Sequence, residues 1–369
     1  MASLGLAKLA NRKLIKVSGP DCYPYLQSLF SNDLRLLYEP ERLRPREHVR
    51  PSSSVLSSFM LNAQGRVICD LIIYRTPYTK YQCQFTPVGQ ATEPDELLIE
   101  SDSTLATGLA NTLYGYRVRR KVSLEILRNQ SVWCLFPKLG DKGIPSTTEE
   151  SEVVALSSGL ETAKEIVSNE LTMVGDPRLD MMGLRILSWN DDESNGNSQF
   201  LKLKTTLQSH INIPIDEVSE RDYNLHRYKL GVGEGPYDHP EGGCLPLECN
   251  ADLLNSVSFD KGCYLGQELT ARIHFTGVVR KRLMPIIIHK ETKLNDTVPF
   301  AKDTDLVDEE NGKKMGTIRH VIGNHALALM RKDLLGDSTK IIHNGTRTRI
   351  SFWVPFWWRR SHSSQDEQT

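Results

Sequence analysis

The hydrophobic pattern of this 369-residue chain changes near residue 280, and this change most constrains its fold. After it, short stretches alternate between polar and apolar residues and are separated by turns such as Asn311-Gly312, which is typical of a small β-sandwich or β-barrel. Before it, strand-like segments alternate with segments whose apolar residues have helical spacing, such as the helix predicted over residues 217–230. We therefore predict an α+β protein, with a mixed body over residues 1–280 and a β-barrel-like domain over residues 281–369.

Two polar stretches interrupt the predicted body. Residues 138–170 are rich in glutamate, and residues 190–198 are rich in asparagine, aspartate and serine. Such compositions favour solvent-exposed loops over buried elements. We predict that both stretches are excursions from the core of the body.

The charge balance argues against a nucleic-acid-binding protein. Lysine and arginine number 45, aspartate and glutamate number 46, and the formal net charge is −1. Proteins that coat nucleic acids usually carry a large basic excess. The chain also has no apolar run near the roughly 18 residues that a transmembrane helix needs. We therefore predict neither a nucleic-acid partner nor a transmembrane segment.

Seven cysteines are scattered along the chain, at positions 22, 69, 83, 134, 244, 249 and 263. An odd, dispersed set in a chain of this length argues against a disulfide scaffold and indicates a reducing compartment. Cys244, Cys249 and Cys263 lie within twenty residues, with His239 just upstream. These four residues are of the right types for a zinc or iron site, although a Cys-x4-Cys spacing is unusual for zinc. Ordinary packing of buried thiols is the alternative.

Cys263 lies in the densest motif of the chain, residues 259–272. Helix-forming residues follow it, so we predict that Cys263 lies just before a helix, where the helix dipole and Lys261 favour the thiolate form. Gly262 beside it would permit a sharp turn or a close backbone approach. A thiolate is the form that reacts and binds metals. A buried apolar cysteine packed against a sheet is the alternative.

Two basic clusters could hold a small anionic ligand if the fold brings them together. One begins at Arg117 and covers residues 117–121, at the start of a basic strand predicted over 117–127, and the other covers residues 272–282. Solvated strand ends are the alternative interpretation. A tryptophan-rich run over residues 352–358 either forms a patch for a partner or membrane surface or folds back on the last β-layer.

The motif around Cys263 resembles a known family signature. The residues Lys261-Gly262-Cys263-Tyr264-Leu265-Gly266-Gln267-Glu268 are similar to the pattern K-G-C-[FY]-x-G-Q-E of the YgfZ-type folate-binding proteins, which are relatives of the glycine-cleavage T-protein, an aminomethyltransferase. Further segments match that family in order, at residues 15–21, 61–66, 176–179, 226–228, 231–235 and 246–250. The resemblance covers nearly the whole chain. It points to the mitochondrial branch, which assembles [4Fe–4S] proteins of the aconitase and lipoate-synthase type.

The resemblance implies a T-protein-like fold, with an α+β body around a central folate cavity and a β-barrel-like C-terminal domain. It also implies a tetrahydrofolate-type ligand, whose anionic glutamate tail would give the basic clusters a purpose. We expect the ligand-binding residues to come from the signature, its surroundings and the first basic cluster, namely Lys261, Gly262, Gln267, Glu268, Arg272, Glu248 and Arg117.

Three departures from the T-protein pattern concern the chemistry. T-proteins carry paired acids where this chain has Cys69-Asp70, so one acid, Asp70, remains. They have Leu-Glu-Ala-Gly where residues 227–231 read Arg-Tyr-Lys-Leu-Gly, and they typically have aspartate at the position of Cys263. The resemblance therefore implies a retained fold without aminomethyl transfer, and chemistry moved to Cys263.

Our leading hypothesis is an iron–sulfur cluster assembly factor of the mitochondrial matrix, not a conventional enzyme, with a folate-like pocket. Cys263 would be a redox thiol or a ligand of a [2Fe–2S] or [4Fe–4S] cluster, shared with a partner because one thiolate fills only part of a coordination shell. The family suggests an A-type cluster carrier as partner and [4Fe–4S] apoproteins as clients. The alternatives are a folate-dependent one-carbon transferase or demethylase using Asp70 as acid or base, and a non-catalytic folate-binding scaffold.

Overall fold

Three β-sheets form the framework of the described part of the chain. The computed structural model describes residues 3–39, 54–75, 96–139, 160, 166–167, 171–189, 196–211, 213–289, 300–334, 338–343 and 346–358. The strands are β1 (Leu4–Lys8), β2 (Arg12–Ser18), β3 (Val55–Leu61), β4 (Val67–Arg75), β5 (Glu96–Asp102), β6 (Ser123–Ile126), β7 (Ser131–Pro137), β8 (Ile166–Val167), β9 (Leu171–Gly175), β10 (Leu184–Ser188), β11 (Ile215–Glu217), β12 (Lys281–His289), β13 (Asp305–Asp308), β14 (Lys314–Ile322), β15 (His325–Arg331), β16 (Ser338–His343) and β17 (Thr346–Phe352). The α-helices are α1 (Cys22–Gln27), α2 (Ala106–Tyr116), α3 (Gly196–Gln208), α4 (Glu220–Leu230), α5 (Gly235–Asp238) and α6 (Gln267–Thr276).

The first sheet is antiparallel and has the order β3-β4-β5-β2-β6. Its strands carry buried β-branched residues such as Ile15, Ile73 and Ile99, which suit a pleated surface covered by helices. Leu26 of α1 and Leu109 of α2 belong to the same apolar cluster as these isoleucines. Helices packed on a largely antiparallel sheet confirm the predicted α+β class.

The second sheet has the order β11-β1-β7-β10-β9-β8 and is antiparallel except where β1 runs parallel to β11. Beside it, α4 starts with a capping box: the Ser219 hydroxyl accepts a hydrogen bond from the backbone of Asp222, and the Asp222 carboxylate accepts one from the backbone of Ser219. The helix therefore begins at Glu220. It starts later than predicted because Ile215–Glu217 forms the edge strand.

A network of buried charges joins these two sheets. Arg185 of β10 is fully buried, and its guanidinium lies 3.2 Å from Glu100 of β5 and 2.5 Å from Glu234, which precedes α5. Asp176 accepts from Arg185 at 3.2 Å and from Arg178 at 2.7 Å. Burial alone would raise the pKa of Glu234, but Arg185 and neighbouring arginines hold it well below the usual range. Glu234 therefore remains ionised inside the body, where the arginines pair with it.

The third sheet closes on itself as a barrel with the order β12-β15-β14-β13-β16-β17. This arrangement confirms the predicted β-barrel-like C-terminal fold, while the division of the chain into units at residue 280 stays a prediction. The first barrel strand begins at Lys281 and is buried from Arg282 to Ile288. Its Met284 belongs to the same apolar cluster as Leu230 of α4, so the barrel and the body share a core.

The tryptophan-rich run packs back onto the body. Trp357 and Trp358 are 5% and 6% exposed, and the indole nitrogen of Trp357 donates to the Leu230 carbonyl at 2.9 Å. A hydrogen-bonded, buried indole is not available for a membrane or a partner. Residues 357 and 358 therefore fold back onto the protein, but the hydrogen bond of Trp357 is to α4 and not to the predicted last β-layer.

The predicted strand over residues 117–127 is shorter than expected. Helix α2 continues to Tyr116, and only Ser123–Ile126 is a strand. Between them Val118 has a φ of 47°, which lies in the left-handed region and breaks the extended conformation.

Most of the predicted excursion over residues 138–170, and residues 190–195 of the second one, lie outside the described residues. Gly196 already begins α3, so the second polar stretch ends earlier than predicted. Within the described part of the chain, no helix has the length and apolar character to cross a membrane.

His226 on α4 should make the fold sensitive to acid. Its Nε2 donates to the Met181 carbonyl at 2.8 Å, and its buried Nδ1 has no hydrogen-bond partner among the described residues. Burial lowers the pKa of His226 from 6.5 to about 4, so between these values the unfolded chain binds a proton that the folded chain does not. The stability contribution is complete above pH 6.5 and is lost as pH falls towards 4, by up to about 1.4 kcal/mol per pH unit.

The substitution His226→Gln keeps a donor for Met181 but removes the titration. We expect the free energy of unfolding of the variant to change less between pH 7 and pH 5 than that of the wild type, by about 2 kcal/mol. Urea unfolding at both pH values measures this difference. Equal pH dependence in the two proteins would contradict the assignment.

Candidate functional site

Cys263 is exposed, unlike the other cysteines that the structure describes. The buried thiols are those of Cys22, Cys69, Cys134, Cys244 and Cys249. Cys83 lies outside the described residues. The interpretation of Cys263 as a buried cysteine packed against a sheet is therefore wrong, and its sulfur is accessible to a partner.

Lys261 fixes the loop that carries Cys263. Its Nζ donates to the backbone carbonyls of Gln27, Phe30 and Asn32 at 2.8, 2.7 and 2.8 Å. These three bonds use all the donors of an ammonium group. Burial lowers the pKa of Lys261 to about 7, while the three carbonyls favour the charged form that can donate to all of them. Lys261 is therefore an internal anchor of the loop.

Further contacts hold both ends of this loop. The Ser258 amide donates to the Ser31 carbonyl at 3.0 Å, and the Leu265 amide donates to the Ser28 carbonyl at 3.0 Å. The Tyr264 side chain turns inward and is 7% exposed. The thiol of Cys263 is thus presented from a backbone that is fixed on both sides.

Gly266, and not Gly262, is the glycine that the geometry of the loop requires. Gly266 has a φ of 75°, and a Cβ there would collide with the Asn62 carbonyl. A Cβ on Gly65, whose φ is 76°, would lie 2.8 Å from the Gly266 carbonyl oxygen. Gly262 has no atom within 4 Å of such a Cβ, and its φ lies outside the left-handed region. The predicted sharp turn or close approach at Gly262 is therefore wrong, and the space next to Cys263 is open.

Gln267 begins the helix that follows the loop, so Cys263 lies several residues before the helix rather than at its cap. The Gln267 side-chain oxygen accepts a hydrogen bond from the Tyr264 amide at 3.4 Å. Glu268 lies in the first turn, where a carboxylate complements the helix dipole. Arg272 follows one turn later, and both charged side chains are exposed.

An apolar surface at the end of this helix was not predicted from the sequence. Phe275 is 69% exposed and Val278 is 76% exposed. Phe259 from the start of the Cys263 loop stacks on His274 at 3.5 Å between ring centroids. The signal in the sequence was an aromatic and a β-branched residue on either side of Gly277, outside the apolar spacing of the helix.

Glu248 and Arg117 each make contacts within their own segments. Glu248 accepts a hydrogen bond from the Leu245 amide at 3.3 Å. Arg117 stacks on Tyr114, with its guanidinium carbon 4.4 Å from the ring centroid, and donates to the Val122 carbonyl at 3.3 Å. In the second basic cluster, Arg282 is buried in an ion pair with Asp252 at 2.7 Å, so this arginine is not a surface charge.

Asp70 lies at the centre of the body, on β4. One carboxylate oxygen accepts from the Gly235 amide at 2.7 Å, and the other accepts from Arg12 at 3.2 Å. Burial alone would raise the pKa of Asp70, but Arg12 and His239 outweigh burial and lower it. The Nη2 of Arg12 is buried and has no hydrogen-bond partner in the described part of the chain. Asp70 is therefore an ionised partner of Arg12.

Three of the four candidate metal-binding residues of the sequence come together, and Cys263 is not among them. A ring nitrogen of His239 and the sulfur atoms of Cys244 and Cys249 all lie within 4.8 Å of one another in the interior. The pKa of Cys244 is lowered, because its hydrogen bond with the Cys249 thiol and the nearby His239 ring both favour the thiolate. The same bond raises the pKa of Cys249. A site that includes Cys263 is therefore wrong, since that residue is exposed on its loop.

Comparisons with known proteins identify the family. The chain is 31% identical over 354 residues to a Mus musculus protein named iron–sulfur cluster assembly factor IBA57, mitochondrial, and the match covers 95% of this chain and 84% of the relative. The Homo sapiens protein of the same name is 31% identical over 353 residues, with coverage of 95% and 84%. This chain belongs to the IBA57 family. The resemblance to mitochondrial iron–sulfur cluster assembly factors is thereby confirmed.

The fold of this IBA57 family member has two further matches. Residues 280–360 match the family model described as CAF17, C-terminal beta-barrel domain. The crystal structure of glycine cleavage system aminomethyltransferase T from Bartonella henselae superposes with a TM-score of 0.63, at 14% identity and with coverage of 96% of this chain and 86% of that one. At this identity the likeness concerns the fold. It confirms the predicted T-protein-like architecture.

The two signature glycines of this IBA57 family member should respond differently to a methyl group. Gly266→Ala places a Cβ against backbone in a left-handed conformation, so we expect the free energy of unfolding to fall by more than about 2 kcal/mol. Gly262→Ala enters open space and should change it by less than about 0.5 kcal/mol. Urea unfolding of both variants measures the contrast. Equal losses would show that the close approach at Gly266 is not what the loop requires.

Proposed function

We propose that this chain supports the maturation of mitochondrial [4Fe–4S] proteins, of the aconitase and lipoate-synthase type, by holding a cluster at Cys263 together with a carrier protein. The proposal includes the mitochondrial matrix as its compartment. The observation that carries it is the exposed thiol of Cys263 on a loop anchored by Lys261. Membership of the IBA57 family supports the iron–sulfur assembly role.

The chemistry of clusters explains why a partner is needed. Iron–sulfur clusters are held by thiolates, and a cluster with four protein ligands cannot be completed by one cysteine. Within the described residues, Cys263 is the exposed cysteine, and we propose that the remaining ligands come from another chain or a small thiol. An A-type cluster carrier fits this requirement. The cluster is then cargo that passes to [4Fe–4S] apoproteins.

The surface around the thiol supports docking of a protein. Phe275 and Val278 expose apolar area on the same loop–helix segment as Cys263, and Glu268 and Arg272 add opposite charges one helical turn apart. Exposed apolar residues rimmed by charge are typical of protein–protein interfaces. We therefore place the carrier interface on α6 and the loop before it.

The position of Asp70 gives less support to a folate-dependent transferase. Its carboxylate is paired with Arg12 and accepts the Gly235 amide, and its lowered pKa opposes proton uptake. An acid–base catalyst needs a proton affinity near the working pH. The geometry therefore favours assembly over one-carbon transfer.

Tetrahydrofolate remains a proposed ligand, since the family resemblance implies it. The described residues fit it in part: the buried Nη2 of Arg12 lacks a partner and could donate to a polar ring atom. The neighbouring carboxylates of Glu100 and Asp70 are already paired with Arg12. When bound, a reduced folate would supply a one-carbon carrier, and Arg117 is our candidate for its anionic tail.

The cluster proposal predicts a specific loss in Cys263→Ser. When the reduced full chain is mixed anaerobically with a carrier loaded with a [2Fe–2S] cluster, we expect a complex that contains both proteins and the cluster, because Cys263 completes the ligand set. Gel filtration with absorbance detection measures this. Cys263→Ser should reduce the bridged cluster to background.

Cys134→Ser is the matched control, because it removes a buried thiol outside the proposed interface. It should form the complex normally. A normal bridged cluster in Cys263→Ser would show that Cys263 is not a ligand. If client maturation were also intact in that variant, the non-catalytic scaffold would be favoured.

The folate proposal predicts saturable binding of tetrahydrofolate to the full chain under anaerobic conditions. Loss of one charge-assisted contact to the tail should weaken binding about tenfold in Arg117→Gln. Arg331→Gln is the control, since Arg331 is paired with Asp333 on the barrel. Calorimetric titration measures both. Absence of saturable binding in the wild type would contradict this proposal and leave the role of Cys263 untouched.

A further inference from the structure

A buried group of metal-binding side chains packs close to the Cys263 loop. It comprises His239, Cys244 and Cys249, which follow one another with the spacing His-x4-Cys-x4-Cys. Tyr264, the neighbour of Cys263, belongs to the same apolar cluster as both of these cysteines. The function proposed above uses none of the three side chains.

Backbone hydrogen bonds fix the two cysteines in place. The Cys249 amide donates to the carbonyls of Leu245 and Pro246 at 3.1 and 3.0 Å. The Cys244 carbonyl accepts from the amide of Val67, the first residue of β4, at 3.0 Å. The two sulfur atoms therefore approach each other on a turn that is tied to the first sheet, and small rotations of the side chains are enough to adjust them.

His239 contributes a ring that the protein leaves incompletely satisfied. The residue is 2% exposed, and its ring packs edge-to-face on Phe59 with 5.4 Å between centroids. Its Nδ1 is buried and makes no hydrogen bond to any described residue. Buried polar atoms in proteins nearly always have a partner. The ring also hydrogen-bonds to Cys244 and has a nitrogen within 4.8 Å of both sulfur atoms, and its orphaned Nδ1 supports a missing ligand.

We propose that His239, Cys244 and Cys249 bind a single Zn²⁺ ion. Two thiolates and an imidazole are ligands that zinc prefers, and the two negative charges balance the ion. With Zn–S distances of about 2.3 Å and Zn–N distances of about 2.0–2.1 Å, ligand atoms of a tetrahedral site lie about 3.5–3.8 Å apart. All three ligand atoms lie within 4.8 Å of one another, so shifts of at most about 1 Å would bring them to these distances. A fourth position is left for water or a small ligand.

The surrounding charges are mixed. Asp70 and Asp238 act on His239, whereas Arg319 acts on both cysteines and is itself paired with Asp303 at 2.8 Å. Two metal-free states use the same sulfur atoms: a hydrogen-bonded pair of thiols, and a Cys244–Cys249 disulfide formed with loss of two electrons and two protons to an oxidant. Both are outcomes that the experiment below separates from zinc binding.

The test is a metal titration of the reduced full chain after dialysis against a chelator. Co²⁺ serves as a spectroscopic probe, because thiolate ligands give it an intense near-ultraviolet charge-transfer band. We expect about one Co²⁺ per chain with this band, and its displacement by Zn²⁺. Cys244→Ser and Cys249→Ser should diminish the band and weaken Zn²⁺ binding by more than about tenfold.

Two variants control for other cysteines. Cys134→Ser removes a buried thiol that donates to the Met182 carbonyl and is outside the cluster, and Cys263→Ser removes the exposed thiol. Both should keep the band, so this site stands or falls independently of cluster sharing at Cys263. A band that disappears in Cys263→Ser and persists in the cluster variants would overturn the proposal.

If the cluster variants fail to fold, X-ray absorption at the zinc edge of the wild type tests which atoms bind the metal. Two sulfur ligands at about 2.3 Å and nitrogen at about 2.0–2.1 Å are expected. A shell of oxygen and nitrogen alone, or no zinc retained by the reduced protein, would refute the site.

Discussion

The fully buried guanidinium of Arg185 holds the two sheets of the body together. It projects from β10 in the second sheet and pairs with Glu100 on β5 in the first. A charge in the interior is tolerated when it is paired and hydrogen-bonded, and removal of one partner of such a pair typically costs about 3–5 kcal/mol. Glu234 completes the pairing from the segment that leads into α5. The positions of both sheets and of that segment therefore depend on one another.

Buried charged groups at the candidate site also find their partners within the chain. Lys261 places an ammonium among three carbonyls, and Asp70 pairs with Arg12. Both groups resemble catalytic residues when they are considered alone, because a buried lysine and a central carboxylate are common in active sites. Here their partners lie within the chain. Among the described cysteines Cys263 is the exposed one, which is why our proposal places the chemistry at the surface of a fold that resembles an aminomethyltransferase.

Local sequence patterns, such as polar–apolar alternation and helix capping residues, predicted much of this structure. The alternating pattern beyond residue 280 corresponds to barrel strands, and the helix near residue 220 follows its capping residues. The family signature led to Cys263. For Lys261 the sequence suggested an electrostatic role beside Cys263, and it did not reveal that the Nζ binds a carbonyl 234 residues away. Local spacing does not report such a contact.

The predictions for Gly262 and for the group of three cysteines failed for the same reason. Gly262 and Gly266 are the same residue type in the sequence, and the fold distinguishes them by the left-handed φ of Gly266 and by the Asn62 carbonyl that it brings near. The short intervals between Cys244, Cys249 and Cys263 suggested one group, but burial separated the third thiol from the first two. In both cases the deciding neighbour comes from a distant part of the chain.

The three bonds of Lys261 also bear on how tightly a partner could associate. A loop that becomes ordered only on contact loses conformational entropy equivalent to about 1–2 kcal/mol per residue of backbone. The loop around Cys263 undergoes that loss when the chain folds, since its anchors are internal. An encounter with another protein then restricts little further motion on this side. The lifetime of such a complex is consequently governed by the contacts between the two surfaces and not by disorder in the segment that presents the sulfur.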